Sequence, residues 1–303
     1  MGNHFWWILD VCVIAIIVYV IHSNAKRGAT KVLILGIGYI FASLVASLVA
    51  SAGAESVYES IALRSNISSV ESVNEKVDLP TAFKKAIDNE HYGLTCDRDA
   101  VEKILYSDDG QSFDEGLYDY VCSRIDKPVF QKTYFLNSIR DAFISAYGEA
   151  MDKKMPAYVR KSFEKAVLDD SNVMRNMVRL LYDRKKSARE SATEIERLFA
   201  RTPTIEVVRM FLYLILFSVV MVIAAVISAI LQNKLFLNLT KSKERLFGGI
   251  LGIMEVVAML VMFTIFVRLM VLLGGGHIFC FSDESISKTV VFHFLYNNLP
   301  TLI

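Results

Sequence analysis

Cysteine, histidine and proline are scarce in this chain, and their scarcity closes off several chemistries. The 303 residues contain 4 Cys, 5 His and 5 Pro. Cys12, Cys96, Cys122 and Cys280 lie far apart, with no C-x-x-C pair and no zinc spacing. Cys12 and Cys280 fall in apolar segments and read as packing residues; Cys96 and Cys122 could pair if their segment faces an oxidising compartment. His4, His22, His91, His277 and His293 are isolated, without H-E-x-x-H or comparable ligand spacing. No G-x-S-x-G, phosphate-binding glycine loop or paired-carboxylate constellation is present, so nothing argues for an enzyme, a cofactor or a metal. No basic stripe accompanies a recognition motif, which argues against a nucleic-acid partner.

Apolar residues, by contrast, make up 53% of the chain, charged ones 21%, and mean hydropathy is +0.39. The two classes are segregated. Outside residues 55–205 stand only 10 Lys/Arg and 6 Asp/Glu, which leaves 23 and 26 inside, a local net charge of −3 against +1 for the whole chain. Four apolar runs fill the poor regions: 5–22, 32–52, 207–231 and 246–273. Each is close to or beyond the roughly 20 residues that cross a bilayer as a helix. The first lacks the basic start and small-residue cleavage site of a signal peptide, so it reads as a retained span with Trp6 and Trp7 at its interface. The second carries small residues every four positions (Gly38, Ala42, Ala46, Ala50) beside Ser43, Ser47 and Ser51, a close-packing face. Thr202-Pro203-Thr204 marks a break before the third.

Between the second and third runs the periodicity is helical. Val159, Phe163, Val167, Met174, Met177/Val178 and Leu181 form one stripe over 157–183. Another runs through Tyr134/Phe135, Ile139, Phe143 and Tyr147, and a third through Ala188, Ala192, Ile195 and Phe199 after Ser187. Shorter helices start at Pro80 and at Asp97 or Asp99, with breaks near Asp108-Asp109-Gly110 and Lys127-Pro128. The acidic residues around Gly110 do not form a calcium loop, because position one of that loop would be Leu105. The reading is an all-α chain: membrane helices one and two in 1–54, a helical soluble insert in 55–205, helices three and four in 206–273, and a tail in 274–303 with a possible interfacial helix presenting Ile286, Val290 and Phe294.

Short-loop charge sets the orientation. Lys26, Arg27 and Lys31 lie between runs one and two; Lys234, Lys241, Lys243 and Arg245 lie between three and four. These loops are expected in the cytoplasm, with both termini and the insert outside. Lys186, Arg189, Arg197 and Arg201 oppose this, but long loops largely escape the rule. Asp10, Arg209, Glu255 and Arg268 stand within apolar runs, where a charge suggests a function or a partner. By depth, Asp10 is expected to pair with Arg268 or Arg209, while Glu255 has no evident partner.

Asp10, Arg27-Gly28, Gly38/Ala42 and Glu244-Arg245-x-x-Gly248-x-x-x-Gly252 follow one another in an order tied to the four runs. The arrangement resembles the colicin V production protein family of bacterial inner-membrane proteins, with Glu244 in place of an aspartate. The tail Phe294-Leu295-Tyr296-Asn297-Asn298-Leu299-Pro300 is similar to a Leu-Tyr-x-x-Asn-Pro ending of some members of that family, with Leu299 separating Asn298 from Pro300. The resemblance covers about half the chain and does not extend to the long insert. It implies a cytoplasmic-membrane protein linked to toxin production or export and to envelope maintenance, without catalytic residues. The alternatives are a transporter or channel component, and a sensor with an extracytoplasmic binding domain. Beyond the lipid bilayer, a second copy or an envelope protein met through the insert are the partners to expect.

Overall fold

The computed structural model describes residues 5–27, 29–90, 92, 94–107, 110–125, 131–152, 154–231, 241–274 and 280–298. Expectations for His4, Gly28, His91, Asp108, Asp109, Lys127, Pro128, Lys234, His277, Leu299 and Pro300 lie outside the described residues. Those described are helical almost throughout: α1 Trp7–Arg27, α2 Ala29–Val57, α3 Leu63–Asn74, α4 Leu79–Asn89, α5 Arg98–Leu105, α6 Phe113–Arg124 and α7 Lys132–Met151. Then follow α8 Ala157–Asp169, α9 Ser171–Leu181, α10 Ala188–Phe199, α11 Arg201–Leu231, α12 Lys241–Gly274, α13 Asp283–Lys288 and α14 Val291–Asn298. The chain divides into two compact units, Met1–Tyr58 with Ile205–Ile303, and Glu59–Thr204.

In the first unit, α1, α2, α11 and α12 are long and apolar enough to cross a membrane. At about 1.5 Å rise per residue, even the 21-residue α1 reaches about 30 Å, a hydrocarbon core's thickness. α12 is the central helix: half of its most apolar stretch is buried, against about a tenth of that in α11. One side of α12 (Val256, Leu260, Val267, Val271) packs on Leu9, Val13 and Val20 of α1, together with Ile286 and Phe292 of the tail. Its other side (Ala258, Val261, Ile265) meets Leu35, Tyr39, Ala42, Ala46 and Ala50 of α2 and Tyr213 and Phe217 of α11. The small-residue stripe on α2 is therefore a packing face. The break expected at Thr202-Pro203-Thr204 falls at Ala200: α10 ends at Phe199, α11 begins at Arg201, and Pro203 sits in its first turn, where the missing N–H would be unpaired anyway.

The second unit is a helical domain whose centre is aromatic. Phe143, Tyr147, Phe163 and Phe199 are buried with ring centroids 5.0–6.1 Å apart. The Tyr147 hydroxyl donates to Asn74 Oδ1 at 2.7 Å, and full burial drives its pKa upward. Helix starts follow their capping residues. Asp78, Asp97 and Asp170 accept from backbone N–H groups, and Ser187 with Glu190 completes a capping box. Asp170 also corrects one expectation. The stripe over 157–183 is two helices, because Asp170 turns extended and caps α9 through the Asn172 N–H at 2.9 Å. The acidic residues near Gly110 are used locally: Asp114 takes a two-point bond from Arg175, and Glu115 pairs with Lys132. Gly110 itself turns the chain at φ +83°. Cys96 and Cys122 are both free thiols.

Two carboxylates of this domain are tuned by hydrogen bonds. The Cys96 N–H, at 2.7 Å, and the Lys84 ammonium hold Asp88 below the usual carboxylate range. The Ser187 N–H and hydroxyl do the same for Glu190. Depressed folded-state values stabilise the domain when pH lies above the unfolded-state values, and the benefit disappears as pH falls through the folded ones. Circular-dichroism melts of the detergent-solubilised chain should therefore lose melting temperature below about pH 4. The Asp88→Asn variant should show a smaller acid loss.

Candidate functional site

Glu255 lies near the middle of α12 and is 6% exposed. A charge there must find its hydrogen bonds in the protein, since lipid offers none. Three side chains converge on it. Asn24 of α1, fully buried, donates from Nδ2 to Oε2 at 2.7 Å, and Tyr39 of α2 donates its hydroxyl to Oε1 at 2.9 Å. Arg27, one helical turn beyond Asn24, brings Nη1 to 3.6 Å from Oε1 and 3.4 Å from Asn24 Oδ1. The cluster thus joins α1, α2 and α12 and corrects the expectation that Glu255 stands alone. Arg27 remains 38% exposed, so its charge also reaches the solvent edge of the cluster.

A glycine makes the approach possible. A Cβ on Gly252 would lie 2.8 Å from Asn24 Nδ2 and 3.0 Å from Asn24 Cβ. Gly252 stands three residues before Glu255 on the same face of α12, so its missing side chain is the opening through which Asn24 reaches the carboxylate. Gly38 has the same relation to α11, where a Cβ would meet that of Ala224 at 2.8 Å. Gly248 and Ala42 are buried, whereas Glu244, in the first turn of α12, is half-buried and Arg245 just after it is exposed. An acidic residue in that turn suits the helix dipole.

The charges at the opposite end behave differently from expectation. Asp10 pairs with neither Arg268 nor Arg209. Its carboxylate accepts the backbone N–H groups of Val290, Val291 and Phe292 at 2.9, 3.1 and 2.8 Å, acting as a cap for α14 supplied from α1. Arg268 donates to the Tyr296 carbonyl and lies over the Tyr296 ring, 4.8 Å from its centroid. The short helix therefore has a negative group at its N-terminal end and a positive one at its C-terminal end, matching its dipole. Arg209 is half-buried, and its Nε makes no hydrogen bond among the described residues. Ile286, Val290 and Phe294 do not share one face: Ile286 is buried, the other two exposed.

In the helical domain, a cavity of about 380 Å³ opens beside α5 and α6, lined in part by Lys103, Gln111, Asp119 and Tyr120. Gln111 already donates to Asp119 at 2.7 Å, so its polar wall is largely satisfied from within. No family model, curated protein or solved structure matches the chain.

Asn24 and Tyr39 escape sequence reading. Asn24 stands beyond the first apolar run and looks like loop, and Tyr39 looks like an ordinary span aromatic. Only the spacing Leu9, Val13, Val20, Asn24, extended past the run, places Asn24 on the buried face of α1. Removing either donor leaves a buried acceptor short of a partner. Tyr39→Phe should lower unfolding free energy by about 1 kcal/mol and Asn24→Leu by about 1–3 kcal/mol. Gly252→Leu should do at least as much harm as Asn24→Leu by pushing Asn24 aside, and Glu255→Gln should be milder than either. Denaturation of the purified variants in mixed micelles measures the order.

Proposed function

We propose that this chain is a multi-pass protein of a bacterial cytoplasmic membrane whose four spans form a fixed anchor. In this reading it is an accessory component of bacteriocin production or export, or of envelope maintenance. The carrying observation is the closed state of Glu255. Both of its oxygens are occupied by donors from neighbouring helices, with Arg27 close by, as suits a clasp between helices. A carboxylate that carried protons or solute would need a free face on a water-filled path. α12 also runs unbroken from Lys241 to Gly274, without the interrupted half-helices of many transporters. The toxin and envelope role rests on the resemblance to colicin V production proteins. It draws support from where the shared residues fall: Asp10, Arg27, Gly38, Ala42, Gly248 and Gly252 are all at contacts or buried positions of the membrane unit.

The basic loop residues favour an orientation with both termini and the helical domain outside the cytoplasm. That domain would then meet an envelope protein or a second copy. In a cysteine-free chain, a membrane-impermeant maleimide should label Lys165→Cys in intact spheroplasts and Lys243→Cys only after permeabilisation. The reverse pattern would overturn the orientation. Reconstituted liposomes separate anchor from transporter: wild type and Glu255→Gln should leak protons no faster than empty vesicles. Proton flux present in wild type and absent in Glu255→Gln would sink the anchor reading.

A further inference from the structure

We infer that α14 is an interfacial helix seated in the lipid headgroup region, its outward face continuing the lipid-facing side of α1. The inner face of α14 is fixed. Phe292 is fully buried, edge-on to Phe263 at 5.4 Å, and Leu295 and Tyr296 pack against the same cluster. Its outward face is apolar and uncovered: Val290 is 76% exposed and Phe294 66%, with Val291 exposed between them.

The occupant of that face follows from what lies next to it. Asp10, which binds the Val290 and Val291 N–H groups, stands on α1 between Trp7 and Val11. Trp7, Val11, Ile14 and Val18 are exposed large hydrophobics at spacings of four, three and four, one outward stripe of a helix apolar enough to cross a membrane. Lipid is the solvent that suits such a stripe. The first residues of α14 are hydrogen-bonded to its margin, so Val290 and Phe294 extend an existing lipid-facing surface. Depth agrees. Asp10 is three residues from the start of α1, about 4.5 Å, and Arg268 six from the end of α12, about 9 Å. Both holding points are thus at the boundary of the apolar layer. Eight residues, about 12 Å, cannot span it but can lie along it. Charge marks the watery side, where Glu284 pairs with Lys288 in α13, while Asn297, three residues beyond Phe294 on the same face, ends the apolar surface at the far end of α14.

The test uses the full chain with Cys12, Cys96, Cys122 and Cys280 replaced by Ser, reconstituted in phosphatidylethanolamine/phosphatidylglycerol vesicles. A nitroxide is attached at Val290→Cys, Phe294→Cys, Lys288→Cys or Ser287→Cys, and power saturation compares molecular oxygen, which partitions into lipid, with a water-soluble nickel chelate. The ratio of oxygen to nickel accessibility should be several-fold higher at 290 and 294 than at 287 and 288. Equal ratios at all four positions, or strong nickel accessibility at 294, would overturn the inference. Adding Asp10→Ala should free the label at 294 and shift it toward nickel, whereas Asp10→Asn, which keeps an acceptor, should shift it less. If Asp10→Ala leaves both mobility and accessibility unchanged, Asp10 does not hold α14 at the interface.

Discussion

A carboxylate enclosed among apolar helices imposes the strictest condition in this molecule, and Glu255 meets it with side chains from two other helices. Helices already in lipid gain little from hiding apolar surface, since the acyl chains are as apolar as leucine. Close packing and interhelical hydrogen bonds must then set which helices touch and in what register. Asn24 and Tyr39 do this around Glu255, and Gly252 gives Asn24 the room to do it. Sliding α1 by one residue would turn Asn24 about 100° away from the carboxylate. The clasp therefore specifies a register that Val and Leu contacts alone would tolerate in several forms.

The second set of charges obeys the same condition by another route. Asp10 and Arg268 satisfy the two ends of a helix, a solution that depth and sign alone do not suggest. A short helix in a poorly solvated place has unpaired N–H groups at one end and carbonyls at the other. A carboxylate accepting three N–H bonds and a guanidinium at a carbonyl meet both needs at once. Side-chain pairing would have met neither.

The architecture was legible because it is written in local periodicity. The four apolar runs, the Gly38–Ala42–Ala46–Ala50 stripe, the aromatic stripe through Phe143 and Tyr147, and the cap at Asp97 all rest on neighbours a few residues apart. Boundaries read less well, since α2, α11 and α12 run past their apolar stretches into polar residues that fold as helix all the same. Asp170 shows the opposite failure: an apolar stripe kept its phase across a break that one aspartate enforces. The polar site was hidden for a different reason. Its partners are 231 and 216 residues apart in the chain, and neither Asn24 nor Tyr39 carries a local pattern.

That separation has a consequence in time. α1 is made long before the donors that Asp10 uses, which belong to residues 290–292. Glu255 finds Asn24 and Tyr39 already made, whereas Asp10 must wait until the chain is 280 residues longer. Until then its carboxylate keeps its water, and the N-terminal end of α1 stays unfinished. A chain stopped before α14 therefore keeps an uncapped carboxylate on α1.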